Sequence, residues 1–277
     1  MHKRKVGLAL SGGGARGLAH VGVLTALEKE SIPIDMIAGT SMGAIIGAFY
    51  AAGKDIGQIT EAVMNLNRRR VFSLVDLSLP RSGFIRGTKV KHWLRSIIGD
   101  IGFEDLAMPF ACVATDIITG EEVVIKQGSV VDGVRASASM PVIFTPAKWH
   151  GRYLVDGGLV NPLPVRVLKQ MSADFIIAVN VNPYIADGTR RNNNGQTENL
   201  KAPNIFSIVR RMLNIMEYQA AMSDLKEADI TITPEVGHIK PGNFHRAREC
   251  ILQGQRAAQH AIPQIKRQLE MAGSHRH

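Results

Sequence analysis

The chain has 277 residues, 45% of them hydrophobic and 21% charged, which is the composition of a globular protein and excludes a disordered or fibrous one. Lys and Arg outnumber Asp and Glu by 33 to 24, and the formal net charge of +9 favours anionic partners, either nucleic acid or an anionic bilayer. Aromatic residues make up only 5%, so few side chains are present on which the bases of single-stranded nucleic acid could stack. No nucleic-acid partner is therefore expected.

The cysteines and the start of the chain bear on the cellular location. Only Cys112 and Cys250 are present, which excludes a disulfide scaffold and favours a reducing compartment. The charged start is followed by an apolar run, Val6 to Leu10, that is too short for the core of a signal peptide. Met36 to Gly53 carries no charge, but its glycines favour a strand and a helix over a membrane span. The sequence therefore predicts a cytoplasmic protein.

The first 53 residues predict an alternation of strands and helices. Val6 to Leu10 is an apolar run that ends in glycines, which is typical of a buried parallel strand. Leu18, Val21, Leu24 and Leu27 recur at three-residue steps and predict a helix over Ala15 to Glu30. A second strand over Ile34 to Thr40 and a second helix over Met42 to Ala52 follow, with Gly53 as the C-terminal cap.

The same alternation continues to the end of the chain. Further strands are predicted over Phe110–Thr115, Glu121–Lys126, Arg152–Val155, Phe175–Val181 and Ile230–Thr233. Further helices are predicted over Gln58–Asn67, Thr88–Ile98, Val131–Ser139, Pro164–Met171, Ile205–Lys226 and Ala247–Leu269. This order predicts a three-layer α/β fold with a central, mainly parallel sheet flanked by helices. We expect one domain over residues 1–272, a loop over Asp187–Lys201 and a frayed tail over residues 273–277.

A glycine loop joins the first strand to the first helix. Gly12, Gly13, Gly14, Ala15, Arg16 and Gly17 match the dinucleotide fingerprint G-x-G-x-x-G, which leaves a Rossmann-type nucleotide binder as one alternative. The second strand, however, ends in Gly39-Thr40-Ser41 and offers no acid for the ribose hydroxyls. Consecutive glycines also let backbone N–H groups converge on an oxyanion at a helix N-terminus, with Arg16 adding positive charge.

The segment from Gly39 to Gly43 has the pattern G-x-S-x-G between a predicted strand and a predicted helix. This is the context of a nucleophile elbow, in which the serine projects above the sheet and flanking side chains would collide with neighbouring elements. The ends of two adjacent parallel strands lie at the same edge, so the glycine-loop amides can face Ser41. The sequence thus predicts an acyl-transfer site with Ser41 as its nucleophile.

A serine needs a base, and two kinds of candidate are present. Asp156 follows a predicted strand and precedes Gly157 and Gly158, which let a carboxylate approach another backbone closely. Asp116, which follows the predicted strand Phe110–Thr115, is the second carboxylate that could act as the base. A triad of Ser41, Asp156 and one of His238, His245 or His260 is the alternative mechanism.

Four motifs in this order resemble those of the bacterial patatin-like phospholipases, close to the catalytic domain of the neuropathy target esterase group. They are Gly12 to Gly17, Gly39 to Gly43, Arg135 to Pro141, and Asp156 to Gly158. The resemblance implies a patatin-like fold, a Ser-Asp dyad of Ser41 and Asp156, and an oxyanion hole from Gly12, Gly13 and Gly14 assisted by Arg16. It also implies hydrolysis of acyl esters in phospholipids, lysophospholipids or related lipids, through an acyl-enzyme and without a metal. Gly17, Gly39, Gly43, Gly157 and Gly158 are the remaining motif glycines, and no cofactor is expected.

A basic run extends from Leu66 to Asp100. It contains eight Lys and Arg residues against Asp76 and Asp100, a local balance of +6. Beside a lipid-hydrolysing site, such a run is expected to help the protein dock on the anionic inner face of a membrane.

A non-catalytic interaction protein on a patatin fold is the remaining alternative to a lipid hydrolase.

Overall fold

The apolar runs of the sequence become the strands of one sheet in a computed structural model, which describes residues 4–66, 68–76, 84–182 and 205–274. The strands are β1 (Val6–Leu10), β2 (Met36–Thr40), β3 (Phe110–Asp116), β4 (Glu122–Ile125), β5 (Ala147–Trp149), β6 (Arg152–Asp156), β7 (Phe175–Val179) and β8 (Ile230–Ile232). The α-helices are α1 (Ala19–Lys29), α2 (Met42–Ala51), α3 (Ile56–Met64), α4 (Arg68–Ser73), α5 (Thr88–Ile98), α6 (Val130–Ser137), α7 (Val165–Gln170), α8 (Ile205–Leu225) and α9 (Ala247–Ser274).

The sheet has the strand order β5-β6-β3-β2-β1-β7-β8, with β4 paired to β3 outside this path. The strands β1, β2, β3, β7 and β8 run parallel, and β4, β5 and β6 join the β3 side by antiparallel pairing. The prediction of a central, mainly parallel sheet flanked by helices is therefore confirmed.

Alternate residues of the central strands point into two separate cores. Leu8 and Leu10 of β1 join the larger core, which α1, α2 and α9 help to form. Ala9 of the same strand joins a smaller core on the opposite face, where α7 packs. Two buried faces explain why these strands read as continuous apolar runs and not as alternating ones.

Several element boundaries differ from those predicted. The glycine loop continues as a 3₁₀ turn over Gly14–Leu18 before α1 begins, and the strand β5 and the helix α4 were not predicted. The helix α9 extends to Ser274, beyond the predicted domain end at residue 272. The predicted loop Asp187–Lys201 and residues 275–277 lie outside the described residues.

The uncharged segment from Met36 to Gly53 divides into β2 and α2, joined at Ser41. All five residues of β2 are buried, because the strand lies between β1 and β3. Within the described ranges, no helix combines the length and the apolar character that a membrane crossing requires.

Candidate active site

Ser41 forms the sharp junction between β2 and α2. Its backbone has φ 55° and ψ −117°, a conformation that residues other than glycine seldom adopt. Side chains on the flanking glycines would collide with backbone, since a Cβ on Gly39 would lie 2.5 Å from the Gly43 carbonyl oxygen. A Cβ on Gly43 would lie 2.2 Å from the carbonyl oxygen of Leu10. The glycine spacing thus permits a tight elbow packed against the end of β1.

Asp156 lies directly beside Ser41, because β6 ends where β2 ends. Thr40 pairs with Val113 and Asp156 pairs with Ala114, so the two strand ends meet at consecutive residues of β3. The Ser41 hydroxyl donates a 2.6 Å hydrogen bond to Asp156 Oδ2. The Gly158 amide donates to Asp156 Oδ1 at 2.9 Å. Both carboxylate oxygens therefore have a hydrogen-bond partner and a fixed direction.

Ser41 and Asp156 are almost fully buried, with 8% and 5% of their surfaces exposed. Burial raises the pKa of Asp156 to about 6, and the hydrogen bonds from Ser41 and Gly158 oppose this rise. At neutral pH the carboxylate is thus ionised, yet its basicity is greater than that of an exposed aspartate. This combination suits a group that must accept a proton from a hydroxyl.

The end of α6 and the residues directly after it support both Ser41 and Asp156. Ser137 Oγ accepts a 3.0 Å hydrogen bond from the Ser41 backbone N–H, and the Ser139 carbonyl accepts a 2.9 Å bond from the Asp156 N–H. Arg135 donates to Ser139 Oγ and, at 2.8 Å, to the carbonyl oxygen of Arg86. The motif from Arg135 to Pro141 therefore fixes the backbones of Ser41 and Asp156 relative to each other. The motif is visible in the sequence, but the roles of its serines depend on contacts that no local pattern reveals.

The glycine loop has the conformation that requires glycine, with φ 150° at Gly13 and 57° at Gly14. A Cβ on Gly12 would lie 3.4 Å from Ser41 Cβ, so the loop borders the serine. The prediction that Gly12 supplies an oxyanion donor needs correction, because its amide already donates to the Pro162 carbonyl at 3.0 Å. Among the described residues, none accepts a hydrogen bond from the amides of Gly13 and Gly14.

The Arg16 guanidinium donates hydrogen bonds to backbone carbonyls and to the side chain of Asn182. Its Nε donates to the Ile239 carbonyl at 2.7 Å, and its Nη1 donates to Asn182 Oδ1 at 3.2 Å. The guanidinium thus fixes the loop against the segment that precedes α9. The charge of Arg16 remains close to the site.

Gly17 lets the 3₁₀ turn after the glycine loop pack closely on α2, because a Cβ on Gly17 would lie 2.5 Å from Met42 Cγ.

The alternative bases lie elsewhere. Asp116 Oδ1 accepts a 2.9 Å bond from the Ile118 amide, so this carboxylate stabilises its own turn. His238 contacts Glu249 at 2.7 Å, and His245 and His260 lie in the 3₁₀ turn before α9 and on α9. Within the described ranges, no histidine forms a hydrogen bond with Ser41 or Asp156. The geometry therefore favours the dyad over the triad.

A mainly parallel sheet with a serine at a sharp strand-to-helix turn is the arrangement of a class of α/β proteins that present a nucleophile at this turn. Within that class, the family model for patatin-like phospholipases matches residues 8–169, a range that includes the glycine loop, Ser41 and Asp156. The chain belongs to the patatin-like phospholipase family.

Relatives and solved structures agree with this assignment. An uncharacterized NTE family protein of Mycobacterium bovis is 35% identical over 219 residues, which cover 79% of this chain and 59% of that protein. Lysophospholipase NTE1 of Scheffersomyces stipitis is 35% identical over 195 residues, which cover 69% of this chain and 12% of that protein. The crystal structure of VipD from Legionella pneumophila has the same fold, with a TM-score of 0.55 at 16% identity over 95% of this chain and 67% of that one. The chain thus spans only part of the length of these proteins.

Proposed function

We propose that the protein is a serine hydrolase of lipid esters that uses Ser41 as nucleophile and Asp156 as general base. The observation that carries this proposal is the 2.6 Å hydrogen bond from the Ser41 hydroxyl to a buried carboxylate. In a hydrolase, this contact allows Asp156 to remove the hydroxyl proton as the oxygen attacks. Membership of the patatin-like phospholipase family supports lipid esters as the substrate class.

The reaction follows from the positions of these groups. Ser41 Oγ bonds to the ester carbonyl carbon while its proton moves to Asp156, and the carbonyl oxygen becomes an oxyanion. The amides of Gly13 and Gly14 are the proposed oxyanion donors, since neither has a protein acceptor among the described residues. Asp156 then returns the proton to the leaving alkoxide as the C–O bond breaks. Water hydrolyses the acyl-enzyme by the same steps and releases a fatty acid.

The substrates that fit best are phospholipids or lysophospholipids. One relative is named a lysophospholipase and another, from Drosophila melanogaster, a neuropathy target esterase. Ser41 is only 8% exposed and is followed by Met42 of the larger hydrophobic core, so the ester is expected to react in largely apolar surroundings. Burial limits competing water around the carboxylate base.

A fluorophosphonate probe tests the nucleophile directly. We expect the wild-type protein to be labelled at a single serine, Ser41, identified by mass spectrometry of the labelled peptide. Ser41→Ala should lose the label, whereas Ser223→Ala should keep it, because Ser223 is exposed on α8 and donates only to the Ala220 carbonyl. A wild-type protein that remains unlabelled would favour a non-catalytic role on the same fold.

We also propose that the protein docks on anionic membranes through an exposed apolar surface near the dyad. Phe84, Val142 and Ile143 are 46%, 40% and 43% exposed, and they belong to two segments joined by the hydrogen bond from the Phe84 amide to the Ile143 carbonyl. The loop that carries Val142 begins directly after Ser139, whose carbonyl holds Asp156. Val142 and Ile143 of this docking surface therefore lie only a few residues along the chain from Ser139, which holds Asp156.

The nearby charges agree with this proposal in part. Arg86 and Lys89 are exposed beside the docking surface. Arg95 pairs with Asp100, which the balance of +6 already includes, and Lys91 pairs with Asp132, which lowers the local charge below that balance. The side chains of Arg68, Arg69, Arg70 and Arg81 lie outside the described part of the chain. Cations near an anionic bilayer contribute about 1 kcal/mol each, and apolar side chains add to this by insertion.

Vesicle flotation tests the docking surface. We expect Ile143→Ser to lower binding to vesicles of anionic phospholipid about fivefold or more, since an inserted apolar side chain contributes on the order of 1 kcal/mol or more. High salt should lower wild-type binding as well. Leu252→Ser is the matched control, because Leu252 is 46% exposed on α9, a helix that packs on α1 and on the edge strand β8. Equal binding by the two variants would contradict the proposed surface.

A further inference from the structure

A second carboxyl group, Glu217 of α8, lies beside the dyad. A Cβ placed on Gly158 would be 3.0 Å from Glu217 Oε1 and 3.2 Å from Asp156 Oδ1, so these two oxygens lie within about 6 Å of each other. A side chain at residue 158 would fill the space between them. The absence of a side chain on Gly158 therefore lets both carboxyl groups approach the same point.

Hydrogen bonds connect Glu217 to the glycine loop. Asn182 Nδ2 donates to Glu217 Oε2 at 3.3 Å and to the Gly12 carbonyl at 3.2 Å. Asn182 Oδ1 in turn accepts the 3.2 Å bond from Arg16 Nη1, which fixes the orientation of the amide. Glu217 is thus held by the same residues that position the proposed oxyanion donors.

The closeness of the two carboxyl groups disfavours a negative charge on both at once. Burial, together with the charge of Asp156, raises the pKa of Glu217 to about 8, and Arg16 opposes this rise. The pKa of Asp156 is raised less, to about 6, because Ser41 and Gly158 stabilise its ionised form. Between these values Asp156 is ionised and Glu217 carries the proton.

Two other acidic groups, near the C-terminal end of α8, form ion pairs farther from Asp156. Arg166 of α7 pairs with Asp224 at 2.8 Å, and Lys169 of α7 pairs with Glu227 at 2.9 Å. Asp224 is about two helical turns beyond Glu217. Among the described residues, Asp156 and Arg16 are the charged groups whose charges act on Glu217.

On the basis of the proposed hydrolase function, we propose that Glu217 is a positioning residue of the active site whose proton is required for ester hydrolysis. A protonated Glu217 leaves one negative charge, on the base that needs it. An ionised Glu217 would place a second negative charge beside the site where the oxyanion forms, and this charge disfavours the transition state.

The pH dependence of kcat/KM on a soluble nitrophenyl ester tests this inference. We expect the wild-type rate to rise through about pH 6 as Asp156 ionises and to fall above about pH 8 as Glu217 ionises. Glu217→Gln keeps an acceptor for Asn182 but has no proton to lose. The variant should keep the acid limb and lose the alkaline one, which raises the ratio of the rate at pH 9 to that at pH 7 about tenfold over wild type.

Glu227→Gln is the control, since it removes a carboxylate that pairs with Lys169 just beyond the end of α8. It should leave both limbs in place. A difference titration of wild type and Glu217→Gln provides a readout independent of activity, and we expect the variant to release about 0.8 proton fewer between pH 7 and 9. Alkaline limbs that coincide in wild type and Glu217→Gln would overturn this inference and leave the hydrolase proposal intact. A wild-type protein without any ester hydrolysis would overturn both.

Discussion

Asp156→Asn is expected to lower kcat for ester hydrolysis about 1000-fold, the loss typical of removing a general base. The amide of Asn has nearly the shape of the carboxylate, but it cannot accept the Ser41 proton. The 2.9 Å bond from the Gly158 amide can still form to the Asn oxygen, so the turn should remain folded. Steady-state kinetics on a nitrophenyl ester, together with circular dichroism, would separate loss of the base from loss of structure.

Asp116→Asn is the matched control, because Asp116 is also a buried aspartate at the end of a strand that pairs with β6. The Asp116 carboxylate accepts a hydrogen bond from the Ile118 amide within its own turn, and we expect Asp116→Asn to keep most of the activity. Residues that act as a unit have non-additive effects, so Ser41→Ala combined with Asp156→Asn should be no slower than Ser41→Ala alone. If Asp156→Asn retained more than about a tenth of the wild-type rate, another group would have to be the base.

The strand ends of the candidate site could be predicted from the sequence because their signals are local. An apolar strand, two glycines and an apolar helix predict the position of Ser41, and all of them lie within the 18 residues from Met36 to Gly53. The pairing of β6 with β3 is not visible in this way. The sequence placed Asp156 at the end of a strand, but only the register of Ala114 with Asp156 explains why that end meets Ser41.

The supporting residues could not be predicted, since each acts through a contact distant in the chain. Ser137 accepts a hydrogen bond from the Ser41 amide. Glu217 lies beside Asp156, although its helix α8 is far from Asp156 in sequence. Gly12 illustrates the opposite error. Its place in a glycine motif predicted an oxyanion donor, whereas the Pro162 carbonyl already accepts its N–H. A motif fixes the backbone conformation, and the tertiary neighbours decide which amides remain available.

Gly43→Ala is expected to lower the free energy of unfolding by about 3 kcal/mol, because it forces a side chain into closely packed backbone. The added Cβ would lie 2.2 Å from the Leu10 carbonyl oxygen and 2.7 Å from that of Ser11. These atoms belong to the end of β1, a central strand whose neighbours on both sides prevent it from moving away. Alanine favours a helix over glycine by about 1 kcal/mol, and the collision exceeds this gain.

Urea denaturation would measure this loss, with Gly242→Ala as the control. A Cβ on Gly242 meets no atom within 4 Å, so this variant should change the free energy of unfolding by about 0.5 kcal/mol or less. Unfolding midpoints of Gly43→Ala and Gly242→Ala that coincide would contradict the close approach of the elbow to β1. The same approach sets the distance between Ser41 and the glycine loop, since Gly12 and Gly13 follow Ser11 directly. A variant that relieves the collision by moving β1 should therefore also move the proposed oxyanion donors, and its kcat should fall even where the protein remains folded.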